Sequence, residues 1–314
     1  MGQSQACAPK QQCCDSCAPD EFPLYAGGDV GSVEEDHTKS LLQADDSQAD
    51  DEHVQRSQSY FDREAKELKH LKVSGAPMND GDIYKFQSGS VYKGQWKNNQ
   101  RHGLGMQTWL DGAIFAGQWA ENSAQGFGRF AHSDGDIFIG EWKQNMASGL
   151  GTYHHKGSTT YRGQWKNDLQ DGHGMESWIE GARYDGDFQD GQKHGNGCYH
   201  WTDGSVYQGQ WQENVIDGCG TYIASDGRCF KGQWKDSVIY GRGQYAWPGG
   251  CEYRGQYVQD QKDGFGVFHW PDGRMYEGFW QGGKQHGKGK YTTKDGVRKL
   301  AIWESGRHAK EEES

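Results

Sequence analysis

Five residues near the N-terminus carry groups that covalent lipid chemistry could use. Gly2 opens the segment Met1-Gly2-Gln3-Ser4-Gln5-Ala6. Removal of Met1 exposes a glycine amine that can take myristate; Ala6 stands where Ser or Thr is preferred, so the match is partial. Cys7, Cys13, Cys14 and Cys17 follow. A single myristoyl chain binds a membrane only marginally and reversibly, so a second anchor is required. Lys10 is the only base in the first 20 residues, which leaves palmitoylation of the thiols to supply that anchor. Two other readings stay open. One is an ordinary leader with incidental Gly2 and cysteines. The other is zinc held by the thiols: Cys13-x3-Cys17 and Cys14-x2-Cys17 have ligand-like spacing, but Cys7 is distant.

Elsewhere the residue types give little catalytic chemistry. There is no P-loop, no Gly-x-Ser-x-Gly elbow and no His-Glu-x-x-His. His102, His194 and His286 recur at one position of a repeat, which makes them loop residues rather than a catalytic set. His154-His155 has no third ligand in view. Cys198, Cys219, Cys229 and Cys251 fall at different repeat positions and read as free thiols, not a disulfide framework. The expectation is no enzyme activity, no cofactor, no metal and no small-molecule substrate.

The element that positions everything after residue 91 is a repeat. Tyr92-Lys93-Gly94-Gln95-Trp96 recurs from Phe115, Phe138, Tyr161, Tyr184, Tyr207, Phe230, Tyr253 and Tyr276, each 23 residues after the last. Nine units fill 92–298 without insertion or deletion. A half unit precedes them from Ile83, and a truncated unit follows with Trp303 in register. Position five is aromatic throughout: Trp96, Trp119, Trp142, Trp165, Phe188, Trp211, Trp234, Tyr257 and Trp280. Positions 12 and 14 are always glycine, and Asp-Gly commonly closes the unit.

Aromatic-x-Gly-x-aromatic has period two, so the three residues share one face of a strand. An aromatic of the neighbouring strand is expected to lie over the bare glycine. The polar stretch Lys97–His102 and the following Gly-x-Gly read as a hairpin loop, and Asp-Gly as the turn into the next unit. Each unit is therefore a β-hairpin, and the aromatic ladder is core. The fold class is all-β: an elongated, twisted, single-layer ribbon of about nine hairpins. At two strands per unit it would span on the order of 85 Å. Leucine-rich repeats fit worse, because 92–298 contains only four leucines; propeller blades need longer periods.

Composition divides the chain the same way. The net charge is -11, which excludes nucleic-acid binding through bulk basic charge. Residues 1–91 hold 17 acidic and 8 basic residues, while 92–314 hold 27 and 25; all 13 Trp lie in the second part. Residues 1–57 are expected to be a disordered leader. Residues 58–74 are expected to form a short helix, with Phe61, Ala65, Leu68 and Leu71 on one face. That helix is either a cap on the first repeat or a docking helix for a partner. The repeat body is set at 82–306, and 307–314 reads as a charged tail. On the face opposite the ladder, Lys93 with Lys97, Arg162 with Lys166, and Lys231 with Lys235 form basic pairs. They are candidates for an anionic lipid headgroup, although a body net charge near -2 argues against strong electrostatic adsorption.

The unit Tyr-x-Gly-x-Trp followed by Gly-x-Gly and Asp-Gly resembles the MORN repeat, as in Tyr276-Glu277-Gly278-Phe279-Trp280, Gly287-Lys288-Gly289 and Asp295-Gly296. The resemblance covers 92–298; Phe188, Tyr257, Ser158 and Ala301 are its departures. It implies a single-layer hairpin solenoid of the kind found in cytoskeletal and membrane scaffolds, junctophilins and regulatory modules of some phosphatidylinositol-phosphate kinases. The expectation is a non-catalytic scaffold tethered by N-terminal acylation to the cytoplasmic face of the plasma membrane or another membrane. It would recruit protein partners or pair with a second copy. The alternatives are a phospholipid-binding module and a regulatory module of a separate enzyme.

Overall fold

A computed structural model describes residues 60–311. They fall into two compact units, 60–195 and 196–311. The acylation candidates Gly2, Cys7, Cys13, Cys14 and Cys17, and the leader 1–57 as a whole, lie outside the described residues.

The first unit opens with a helical turn at 60–62 and helix α1 (Ala65–Ser74). Phe61, Leu68 and Leu71 are buried as the spacing required, but the regular helix starts later than the expected residue 58. Its N-cap, Glu64, makes no side-chain cap. The strands are β1 (Ile83–Lys85), β2 (Val91–Lys97), β3 (Gln100–Thr108), β4 (Ile114–Ala120), β5 (Ser123–Ala131), β6 (Ile137–Lys143), β7 (Met146–His154), β8 (Thr159–Lys166), β9 (Leu169–Trp178) and β10 (Arg183–Gln189). Each pairs antiparallel with the next. Strand β11 (Gln192–His200) spans the boundary. In the second unit, strands from β12 (Val206–Gln212) to β20 (Arg298–Glu304) continue the same meander. Arg307–Glu311, read from sequence as the start of a charged tail, forms a last strand, β21, on β20.

The hairpin turn is tighter than the polar stretch suggested. It consists of two residues, positions seven and eight, both with left-handed backbone: Asn98 and Asn99, Glu121 and Asn122, Gln144 and Asn145. Positive φ at both central residues is the hairpin turn whose twist matches the flanking strands. The expected loop residues, including His102, His194 and His286, therefore lie on strands. Gly103 sits inside β3 at φ +62, opposite a β-bulge between Gly94 and Gln95. The Gln95 carboxamide stabilises that bulge by accepting from the Leu104 N–H at 2.7 Å. Gln118, Gln164, Gln210, Gln233 and Gln256 do the same in their own units.

The aromatic that covers the paired glycines comes from the same strand, not from the neighbour. A Cβ on Gly105 would stand 2.2 Å from the Tyr92 hydroxyl oxygen, so only glycine fits beneath that ring. The Tyr92 hydroxyl donates to the Gln95 carbonyl at 3.0 Å. Burial pushes the Tyr92 phenol well above its ordinary pKa. Edge-to-face contacts then link the units. Phe115 meets Trp119 at 5.0 Å and Trp142 at 5.2 Å; Phe138 meets Trp142 at 5.2 Å and Trp165 at 5.1 Å. The same herringbone runs through the second unit, from Tyr207–Trp234 to Tyr276–Trp303. Each ring thus touches its own hairpin and the next, which supplies the burial that one hairpin lacks.

Candidate binding faces

Strand alternation gives every hairpin an aromatic face and an outer face. On the aromatic face, position ten points inward and fills the space between rings. It is Ile216 and Ile239 in the second unit, both buried. At Lys193 and Lys262 it is an amphipathic side chain. Lys193 pairs with Glu176 at 3.3 Å and lies over the Trp178 ring at 5.1 Å. The Lys262 ammonium lies 5.0–5.7 Å from the rings of Trp247, Tyr253, Phe268 and Trp280, so its charge is met by ring faces.

In repeat units two and three, position ten is only alanine, Ala124 and Ala147, both buried. There the face is completed from outside the repeat. The ring of Phe61 sits among Trp109, Phe115, Trp119, Phe130 and Trp142, with centroids 5.4–5.9 Å away. Tyr60 stacks edge-on to Trp109 at 5.3 Å, and its hydroxyl lies 3.3 Å from Ser133 Oγ. The cap reading of the leader helix is the one the structure realises.

Glu64 enters the same face and is 2% exposed. Its carboxylate accepts from Ser88 Oγ and Ser90 Oγ at 2.8 Å, from Gln107 Nε2 at 3.3 Å and from Trp109 Nε1 at 3.4 Å. A buried carboxylate is stable only when so satisfied. Beside it, Arg101 is 1% exposed. It donates to Gln107 Oε1 and to the Asn122 carbonyl, both at 2.6 Å, and lies 4.2 Å over the Trp119 ring. Burial pulls the Arg101 guanidinium down to about 9, against the opposing field of Glu64. This network was not anticipated. Its signal was a charged residue, Arg101, at an inward-facing strand position.

A second polar cluster surrounds Asp136. The carboxylate accepts from Tyr153 Oη at 2.6 Å, from the Lys156 N–H at 2.9 Å, and contacts His155 Nδ1 at 2.8 Å. Burial alone would raise the Asp136 pKa. The Lys156 N–H, the Tyr153 hydroxyl and His155 together outweigh it, so the carboxyl titrates below its ordinary value. The histidine pair of the sequence reading is thus divided: His155 holds Asp136, and His154 Nδ1 lies 3.2 Å from Thr160 Oγ1.

The outer face carries the basic pairs, all exposed. Lys93 and Lys97 lie on β2 and Arg162 and Lys166 on β8, six strands or roughly 29 Å apart. Lys231 and Lys235 lie in the other unit. The pairs do not converge on one site. Lys166 Nζ is 3.6 Å from Asp171, and Lys235 Nζ is 2.5 Å from Asp217. Among the described residues no group of three or more His, Cys, Asp or Glu is placed to hold a metal ion. Cys198, Cys219, Cys229 and Cys251 are free thiols.

A run of equal antiparallel hairpins, closed by the same turn and joined by the same ring contacts, defines a β-hairpin repeat protein. The MORN repeat model matches nine consecutive segments: 92–114, 115–137, 138–159, 161–183, 184–206, 207–227, 230–252, 253–273 and 276–298. The chain belongs to the MORN repeat family, whose repeats serve as scaffolds and binding surfaces. No curated protein matches it at a significant level. Similar solved structures include the wild-type TCP10 domain of Danio rerio CPAP, at 14% identity over 67% of this chain and 99% of that one, with a TM-score of 0.38. Another is virginiamycin B lyase from Staphylococcus aureus, at 10% identity over 70% and 83%, with a TM-score of 0.14. Neither likeness bears on function.

Proposed function

We propose that this chain is a non-catalytic scaffold held at the cytoplasmic face of a membrane by acylation of Gly2 and of leader cysteines among Cys7, Cys13, Cys14 and Cys17, with its repeat faces recruiting protein partners. The observation that carries the binding role is the seating of Tyr60, Phe61 and Glu64 on the aromatic face. One face of these hairpins already holds a helical segment through ring contacts and a fully satisfied carboxylate. The tether is supported by Gly2 and four thiols in a leader with one base. Sedimentation of cell membranes tests it. Wild-type protein is expected in the pellet with a myristoyl mass increment and hydroxylamine-labile palmitate, and Gly2→Ala in the supernatant. Pelleting that survives Gly2→Ala refutes the tether.

Direct phospholipid binding is the second reading, favoured by exposed Lys93 and Lys97 on β2. It requires the Gly2→Ala chain to float with phosphatidylserine vesicles and to lose flotation when both lysines become glutamate.

A further inference from the structure

An antiparallel sheet with one wet face alternates apolar and polar residues, whereas a sheet covered on both faces has strands apolar on both sides. The second unit alternates. Its outer middle row includes Gln208, Thr221, Lys231, Gln244 and Arg254. The first unit does not. Strand β6 begins Ile137-Phe138-Ile139 and β4 begins Ile114-Phe115-Ala116. Register sets the outward side chains side by side: Met106 opposite Ala116, Thr108 opposite Ile114, and Ala131 opposite Ile137. Between the paired glycines stand Leu104, Phe127 and Leu150, which are 64, 59 and 62% exposed, with Met106 at 44%. The other face of these hairpins is already covered by the leader segment, so this is the uncovered layer of the unit.

We infer that the outer face of β2–β8 is a homodimer interface, on which a second copy lays the same face to form a two-layer β-sandwich. The inference rests on the scaffold reading and names one partner for it. Seven strands and three residue rows make a plane of about 34 by 20 Å, roughly 700 Å² per copy. That is close to the ~800 Å² each partner gives to a standard interface. It exceeds the ~300–600 Å² of the largest apolar patch on a typical monomer. Two such sheets pack with inner faces interdigitated about 10 Å apart. The charges on the face suit a copy of itself. Arg129 lies on β5 and Glu141 on the adjacent β6. A two-fold axis along the strands between them lays each β5 over the other copy's β6, so Arg129 comes beside the partner's Glu141. A bilayer would instead have to receive Glu141 unpaired in the row of Phe127 and Leu150. A closed isologous pair also covers both patches and leaves none to propagate.

The test is sedimentation equilibrium of the full chain, produced without acyl groups, beside the double variant Phe127→Lys/Leu150→Lys and the control Phe279→Lys on the second unit's outer face. The exposure of the substituted residues leaves the fold intact, which far-ultraviolet circular dichroism checks. A micromolar dimer is expected for wild type and control, weakened by about 100-fold or more in the double variant. A wild type still monomeric at ~100 μM, or a double variant that dimerises like wild type, overturns the inference. So does a monomeric wild type that floats with phosphatidylcholine–phosphatidylserine vesicles while the double variant does not. The absence of acyl groups keeps these outcomes independent of the Gly2→Ala result.

Discussion

Asp136 shows how one residue can tie two neighbouring hairpins together. It occupies the last turn of the second repeat and is contacted by Tyr153, His155 and Lys156 of the third. Its folded pKa lies below the ordinary carboxylate value of about 3.9. A depressed carboxylate contributes stability that is complete above its unfolded pKa and is lost as pH falls through the folded one. Asp136→Asn should therefore raise amide hydrogen exchange in repeat units two and three at pH 7, and the gap from wild type should close as the pH falls below about 4. A gap that stays constant with pH would assign the effect to shape rather than charge. Little of this was legible in the sequence. Asp136 follows an Asp-Gly turn and looks like one more turn carboxylate; only the return of the next hairpin sets three donors around it. Arg101 is the converse. Its inward position followed from alternation, but the carboxylate beside it comes from Glu64, 37 positions away.

At the scale of elements, the hairpins are regular and the leader segment is the exception that completes them. Its periodicity was readable, and Phe61, Leu68 and Leu71 are buried on one face. The late start of α1 was not, because it follows from where Glu64 is drawn. A carboxylate one turn before Leu68 resembles an ordinary helix N-terminus until Ser88, Ser90, Gln107 and Trp109 converge on it. The hairpin turn was misplaced for a local reason. Asn98-Asn99 can take left-handed backbone without glycine, which frees Gly103 and Gly105 for the bulge and for the Tyr92 ring. Position ten explains why the helix seats where it does, since only Ala124 and Ala147 leave that layer to be filled by another segment. Phe61→Ala is thus expected to cost about 3–5 kcal/mol, the range for emptying a buried aromatic site. Limited proteolysis should then release the segment before the sheet is cut. Protease resistance equal to wild type would show that the ring is not what holds it.

The whole molecule is governed by its period. An unbroken register of 23 residues was enough to give the number of hairpins, their antiparallel order and the aromatic layer. What the period hides is the difference between repeats, because a shared motif directs attention to shared positions. The apolar outer face of the first unit is carried by variable ones: Leu104, Phe127 and Leu150 stand where later units have His173, Cys219 and Arg242. Energetics follow the same logic. Trp165 meets Phe138 and Tyr161 at 5.1 Å each and donates Nε1–H to the Gly151 carbonyl at 3.3 Å, all in its own or the preceding hairpin. In an array stabilised by nearest neighbours, damage at one repeat is felt by the adjacent ones and fades beyond them. Trp165→Ala should destabilise units three and four by about 3–5 kcal/mol. Hydrogen exchange resolved by peptide should show protection lost across 138–183 and unchanged across 230–298. If protection instead falls uniformly along the chain, the hairpins unfold as one cooperative body, and the nearest-neighbour account of their stability fails.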